Sequence, residues 1–155
     1  MDVEWLVLAD AAEVVGNKLY LLGGGWDLLT VNTGFPVEQH CAIALSARIP
    51  WNETNQKHTF EIEVLEESPG TEEPKSLVKE GGYFEVGRPP GIPLGQEQRF
   101  QLAFAMNLKM ETPGTKVVVA RLEGQEMRRF HFNVVPGPML AMKAQKREQG
   151  DAPSG

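Results

Sequence analysis

The chain has 155 residues, of which 15 are basic and 21 acidic, so its formal net charge is −6. This length predicts one domain with a core of its own, and the excess of acidic groups argues against a nucleic-acid partner because most of the surface would repel phosphates. The single cysteine, Cys41, excludes an internal disulfide bond. The fold therefore has to rest on packing, as expected in a reducing compartment.

The beginning of the chain shows no mark of export or membrane insertion. Residues 1–5 include acidic groups where a secretory signal carries positive charge. No apolar run in the sequence reaches the ~18 residues that a membrane span needs. We therefore expect a cytoplasmic protein without a membrane partner.

A hairpin and a bend are predicted near the start of the chain. Gly16-Asn17 separates two apolar runs, and both residue types accept the positive φ of a tight turn, so the first two strands should pair antiparallel. The next segment is Gly23-Gly24-Gly25-Trp26-Asp27. Its glycines resemble an anion-binding loop, but another strand-like run follows at 28–31, where a dinucleotide fingerprint needs a helix. We interpret these glycines as a bulge or a sharp bend.

Alternation of apolar and polar residues predicts the longer strands, since successive side chains of a strand point to opposite faces. The longest run extends from Phe100 to Met110 and predicts one face that is buried along its whole length. Pro113-Gly114 ends this run, and Glu123-Gly124-Gln125 predicts the turn of a C-terminal hairpin. In all, we predict strands near residues 3–9, 18–23, 26–31, 41–49, 58–66, 83–87, 98–110, 115–122 and 127–135.

Eight or nine short strands without an amphipathic helix between them are typical of an all-β sandwich or barrel. We predict an antiparallel two-sheet sandwich over residues 1–136. The segment 66–82 is acidic and contains proline, which predicts a mobile loop. Apolar alternation ends at Pro136, so residues 137–155 are predicted to form a flexible, disordered polar tail with room for a turn of helix at 138–144.

The sequence contains no recognisable catalytic, metal or cofactor motif. Its histidines are His40, His58 and His131, and they do not have zinc-binding spacing with Cys41. No serine lies in a nucleophile elbow. We therefore predict no catalytic residue, no metal ligand and no cofactor, although a pair of carboxylates that meets only in the folded protein stays open.

Three residues are candidates for a contact site. Arg88 lies in the stretch 84–95, where prolines and glycines make a stiff loop that either presents the guanidinium to a partner or forms a structural corner. Trp51 follows Pro50 and opens a polar run, which favours an exposed ring. Trp26 is the third candidate, since exposed tryptophans stack on sugars or hold a protein partner, although core packing is the default for this residue type.

Three segments together resemble those of an uncharacterised bacterial family of small single-domain proteins. They are the run from Gly16 to Asp27 with its Gly-Gly-Gly-Trp-Asp, the Ile49-Pro50-Trp51 segment followed by His58, and the loop with Val-Gly-Arg-Pro-Pro-Gly at 86–91. The resemblance covers about residues 3–135. It implies no activity, ligand or partner.

The sequence thus leaves three hypotheses of function. The first is a non-catalytic binding or assembly module that contacts a protein partner or a second copy of itself through end loops or a sheet edge, because uncovered edges favour pairing. The second is a carbohydrate-binding module that uses Trp51 or Trp26 with Arg88. The third is a hydrolase with a carboxylate pair.

Overall fold

A computed structural model describes residues 1–70 and 73–150. In this part of the chain, nine strands form two sheets that face each other across one apolar core, which confirms the predicted all-β sandwich. The strands are β1 (Asp2–Val15), β2 (Lys18–Gly24), β3 (Leu28–Val31), β4 (Val37–Ile49), β5 (Lys57–Glu66), β6 (Lys75–Glu85), β7 (Gln98–Met110), β8 (Gly114–Leu122) and β9 (Gln125–Pro136).

The four-stranded sheet has the order β2-β1-β4-β7, and the five-stranded sheet has the order β3-β9-β8-β5-β6. The first hairpin and the C-terminal hairpin pair as predicted. One pair departs from the antiparallel prediction, because β3 runs parallel to β9, with Leu28 beside Asn133 and Val31 beside Pro136. The chain reaches β3 by crossing from the other sheet, and such a crossover does not impose the reversed direction that a tight hairpin imposes.

The core lies between the inner faces of the two sheets, where β4 contributes alternate residues from Cys41 to Ile49 and β8 contributes Val118, Ala120 and Leu122. The long strand β7 only partly follows its prediction. Its second half, from Met106 to Met110, buries every second side chain, but Phe100, Leu102 and Phe104 are only partly buried. In this half, Phe100 stacks on Phe84 of β6 with ring centroids 4.1 Å apart, and since β6 and β7 are both edge strands, the contact lies at the open side of the sandwich.

The first hairpin folds back over the outer face of its own sheet. β1 pairs with β4 over residues 2–9 and with β2 over residues 9–15. The amide of Gln101 on β7 donates to the carbonyl oxygen of Asn17 at the hairpin tip, at 2.7 Å, although β4 separates β1 from β7 in the sheet. Ala42, Ala44 and Ser46, on the outer face of β4, are almost fully buried. These small side chains permit the hairpin to lie close against the sheet.

Two segments differ from their predictions. Much of the predicted mobile loop at 66–82 is strand, because β6 begins at Lys75 and pairs with β5 up to Glu85. β6 is an edge strand with mostly exposed side chains, so its sequence lacks the apolar alternation that would have predicted it. Thr71 and Glu72 of that prediction lie outside the described residues. The predicted tail contains a helix, α1 (Pro138–Gly150), while residues 151–155 are not among those described.

The helix α1 owes its formation to strong helix formers, including Leu140, Ala141, Met142 and Lys143. None of its residues is buried, in keeping with the polar character predicted for this segment. Within the described residues, no helix has the length and apolar character needed to cross a bilayer.

Candidate functional site

Arg88 and Trp51, two of the predicted contact residues, meet at one end of the sandwich. The Arg88 Nε donates to the hydroxyl of Thr54 at 2.6 Å, and its Nη2 donates to the carbonyl oxygen of Trp51 at 2.7 Å. Its guanidinium carbon lies 4.1 Å from the centroid of the Trp51 ring, which is the geometry of a cation–π contact. We call this arrangement the Arg88 corner.

The Arg88 corner joins the loop after β6 to the 3₁₀ turn Trp51–Glu53 that follows β4. The buried Thr54 hydroxyl donates in turn to the Trp51 carbonyl oxygen at 2.6 Å, and the Asn55 amide donates to the carbonyl oxygen of Val86 at 2.8 Å. The Arg88 side chain therefore satisfies acceptors at the end of a short helical turn. These bonds support the interpretation of the loop as a structural corner.

A polar network continues from the corner across the same end of the sandwich. The buried His58 ring contacts the Glu53 carbonyl oxygen through Nε2 at 2.6 Å and the Glu123 carboxylate through Nδ1 at 3.3 Å. The terminal ammonium of Met1 lies 3.1 Å from the Glu53 carboxylate. This end of the core is thus closed by polar contacts and one ion pair, which join four separate segments.

The third candidate, Trp26, packs away from the Arg88 corner. Its ring meets Phe132 edge to face, with centroids 6.0 Å apart, and it packs against the apolar core. Gly23 and Gly25 on either side of the bend have positive φ, so the chain turns there and passes from one sheet to the other, as the bend predicted for this segment requires. Trp26 anchors this crossover on the core.

The opposite end of the sandwich is closed by a buried ion pair. Lys116 is fully buried, and its Nζ donates to Glu66 at 2.6 Å and to the Thr112 carbonyl oxygen at 3.1 Å. The Thr112 hydroxyl also donates to Glu66 at 2.8 Å. Burial raises the pKa of Glu66, but the hydrogen bonds from Lys116 and Thr112 outweigh it, so this pKa lies below its ordinary value.

The carboxylates that come together do so around arginines. Glu4, at a bulge in β1, accepts hydrogen bonds from Arg48, Arg99 and Ser46, and the bond from Arg99 contributes most to lowering its pKa to about 2. A carboxyl group with so low a pKa is unprotonated at neutral pH and does not suit general acid catalysis.

Burial, with a contribution from Asp10, raises the pKa of Cys41 to about 11, which makes this thiol a poor nucleophile.

The free edge of β2 is the feature that sequence reasoning did not single out. β2 is an outer strand of its sheet, and its side chains Tyr20 and Leu22 are 56% and 71% exposed. Val15, beside them on β1, is 52% exposed. The run of four apolar residues from Leu19 to Leu22 is typical of a strand buried on both faces, so nothing in the sequence signals an exposed edge here.

The other edge strands of the described sheets carry the features that discourage pairing. β6 has four charged residues, and β7 has Arg99 and Lys109. β3 has only four residues. Charged and very short edge strands protect sheets from pairing with other chains. By contrast, β2 has seven residues, and its one charge, on Lys18, lies at the end of the strand.

Comparison with known proteins gives a family but no activity. The model of a family of unknown function (DUF6941) matches residues 4–135, which confirms the resemblance to an uncharacterised family. No curated protein matches the sequence. The β-glucosidase from Listeria innocua in complex with isofagomine is 12% identical, with a TM-score of 0.41, over 87% of this chain and 16% of that chain. The chain thus spans about one sixth of the glucosidase.

A second solved structure is the alkylpurine DNA glycosylase AlkC from Pseudomonas fluorescens, bound to DNA containing an abasic site analog. It is 12% identical, with a TM-score of 0.38, over 84% of this chain and 30% of that chain. Likenesses this distant carry no information about the activity of this chain.

Proposed function

The chain belongs to the family of unknown function DUF6941, and we propose that it is a non-catalytic module that binds a protein chain by adding a strand to the free edge of β2. The observation that carries this proposal is an outer strand whose one charge, on Lys18, lies at its end and whose Tyr20 and Leu22 are exposed. Strand addition uses the unpaired backbone groups of an edge for affinity and neighbouring side chains for specificity.

The two alternatives have less support. For carbohydrate binding, one face of the Trp51 ring is covered by the Arg88 guanidinium, and the Trp26 ring packs against the core. For hydrolysis, the carboxylates of Glu61 and Glu63 converge, but both accept hydrogen bonds from the same Arg121 nitrogen, at 2.7 and 2.8 Å. Lys79 lies 3.3 Å from Glu61 as well, so the two carboxylates are balanced by two positive charges and are not poised to transfer a proton.

Photocrosslinking in cells that express the chain naturally tests this proposal. A photoreactive phenylalanine at Tyr20 should give a covalent adduct with a protein chain, and the mass of the adduct reports its partner. The same group at Tyr83 is the matched control, because this tyrosine is also exposed on an edge strand, the charged β6. The substitution Leu22→Lys should reduce the adduct at position 20, because a charge on the edge opposes pairing.

An adduct at position 20 that Leu22→Lys removes, with none at position 83, supports strand addition at β2. Equal adducts at both positions, or no adduct at position 20, would contradict it.

A further inference from the structure

We infer that the strand added at β2 is β2 of a second copy of this chain, paired antiparallel about a two-fold axis that passes through Tyr20. This inference rests on the proposed function, since it names the partner of the same edge. It follows from the backbone geometry of the hairpin, the position of Gly23 and the placement of charge.

The hairpin turn decides which backbone groups of β2 are free. Gly16 and Asn17 have φ of 56° and 59°, as in the two-residue turn that joins strands most tightly, and the turn pairs Val15 with Lys18. The residues that flank such a turn hydrogen-bond to each other, and the direction of the backbone groups then alternates along the strand. Lys18, Tyr20 and Leu22 therefore point their backbone groups toward β1, whereas Leu19 and Leu21 point theirs outward.

Gly23 ends the regular part of this edge. Its φ of 59° is far from the extended conformation of a strand, so the continuous extended segment is 18–22. Tyr20 is the centre of this five-residue segment. An antiparallel pair centred on Tyr20 places Leu19 opposite Leu21 of the second copy, and Leu21 opposite Leu19, so every outward N–H and C=O of the segment finds a partner. A register centred on Leu21 would require the bent Gly23 to pair.

The placement of charge also favours this pair of copies. Lys18 is the only charged residue of the segment, and the antiparallel register places it opposite Leu22 of the second copy. The two lysines then lie about 14 Å apart along the strands at ~3.4 Å per residue. That distance exceeds the Debye length of about 8 Å at physiological ionic strength, so their repulsion is screened. A parallel pair would place the two lysines side by side.

The contact is of the size expected for a weak dimer. It pairs five residues from each copy and covers parts of Tyr20 and Leu22, which is a small interface of the kind seen in transient complexes. At the centre, the two Tyr20 residues form a non-hydrogen-bonded pair, whose Cα atoms lie about 4.5 Å apart and whose side chains are in direct contact. Exchange between monomer and dimer should therefore depend on protein concentration.

Cysteine crosslinking of the purified full chain tests the register. A Cα separation of about 4.5 Å falls within the range that a disulfide bridge requires, so Tyr20→Cys should form a disulfide-linked dimer under mild oxidation. Val15→Cys is the matched control, because it lies on the same exposed face but on β1. The native Cys41 is 1% exposed and stays reduced in both variants. Circular dichroism verifies that each variant is folded.

The expected result is a wild-type mass that rises with concentration in light scattering, a crosslink in Tyr20→Cys at least tenfold faster than in Val15→Cys, and loss of the dimer in Leu21→Lys. A wild-type dimer that crosslinks through Leu22→Cys but not through Tyr20→Cys would overturn the register. A strict monomer that still gives a cellular adduct of another mass at position 20 would overturn the second copy and leave strand addition standing. Failure of both experiments would overturn the proposed function itself.

Discussion

At the scale of single residues, Arg88 shows how an exposed charge can belong to the structure. The sequence allowed two roles for its guanidinium, a contact with a partner or a structural corner. In the structure, it is bonded to Thr54 and Trp51 through two hydrogen bonds of 2.6 and 2.7 Å and lies over an indole ring. Three directed contacts fix the position of one side chain and connect segments that are 37 residues apart.

Replacing Arg88 by alanine should lower the melting temperature. The substitution removes the two hydrogen bonds and the ring contact, and we expect a loss of about 1–2 kcal/mol in the free energy of unfolding, or roughly 2–4 °C per kcal/mol for a domain of this size. Arg128→Ala is the control, because the Arg128 side chain is exposed and forms no ion pair or hydrogen bond among the described residues. Thermal denaturation measures both.

Arg88→Lys distinguishes geometry from charge. Lysine keeps the charge but not the planar group that reaches two acceptors and covers the ring, so it should restore only part of the lost stability. Unchanged stability in Arg88→Ala together with weaker association would instead assign this residue to a partner contact.

At the scale of elements, the sequence predicts strands that are half-buried and misses what depends on distant contacts. The turn at Gly16-Asn17 and the alternation around β4, β5 and β9 are local signals, and each produced a strand in its predicted place. Most of β6 was not predicted, because the sequence of an edge strand need not alternate between apolar and polar residues. The folding of the first hairpin over its own sheet was not predicted either. Alternation shows that Ala42 and Ala44 face the same side of the sheet, but it does not show which segment covers them.

The Arg88 corner and the β2 edge show the same limit of sequence-based prediction for the candidate site. The stiffness of the loop around Arg88 is visible in its prolines, but its acceptors belong to a turn that is distant in sequence. The run from Leu19 to Leu22 is visible as well, yet only the strand order shows that β2 has no neighbour on one side.

The bend at Gly23 provides a test of the hairpin as an element. Gly23→Ala places a Cβ against the carboxylate of Asp10 and forces alanine into positive φ, at a cost of about 1–2 kcal/mol for the backbone conformation and more for the clash. Gly16→Ala is the matched control, because Gly16 has nearly the same φ, 56° against 59°, but open space around its Cβ.

We expect urea denaturation to show a larger loss of stability in Gly23→Ala than in Gly16→Ala. Adding Asp10→Ala to Gly23→Ala should remove most of the excess, because the contacts with the carboxylate disappear, whereas the Cβ of residue 10, 3.3 Å away, and the backbone cost remain. Equal losses in the two single variants would show that the close approach of Asp10 does not constrain the bend.

At the scale of the whole molecule, hydrogen bonds and ion pairs between polar groups close the two ends of an apolar core. The Arg88 corner and the His58 network close one end, and the ion pair of Lys116 with Glu66 closes the other. On the four-stranded sheet, Glu4 joins β1 to β4 and β7 through Arg48 and Arg99. A buried pair such as Lys116 with Glu66 is costly to break from one side, because the remaining charge has no partner.

The ion pairs and hydrogen bonds of Glu4 and Glu66 predict how stability depends on pH. Hydrogen bonds from arginine lower the pKa of Glu4 from 4.5 to about 2, and that of Glu66 also lies below its ordinary value despite burial. A carboxyl group with a lowered pKa in the folded state stabilises the protein above the pKa of the unfolded chain, and this contribution is lost as pH falls through the folded pKa. The free energy of unfolding should therefore decrease between about pH 4.5 and pH 2.

Urea denaturation at a series of pH values measures this decrease. Glu4→Gln removes the group with the lowest pKa, so its stability curve should be flatter than that of the wild type in this interval. Glu38→Gln is the control, because Glu38 is exposed and forms no ion pair among the described residues, and its curve should have the wild-type slope. If Glu4→Gln kept the full slope, the arginines around Glu4 would contribute nothing to folding, and the acid sensitivity would have to come from Glu66 and the other paired carboxylates of the five-stranded sheet.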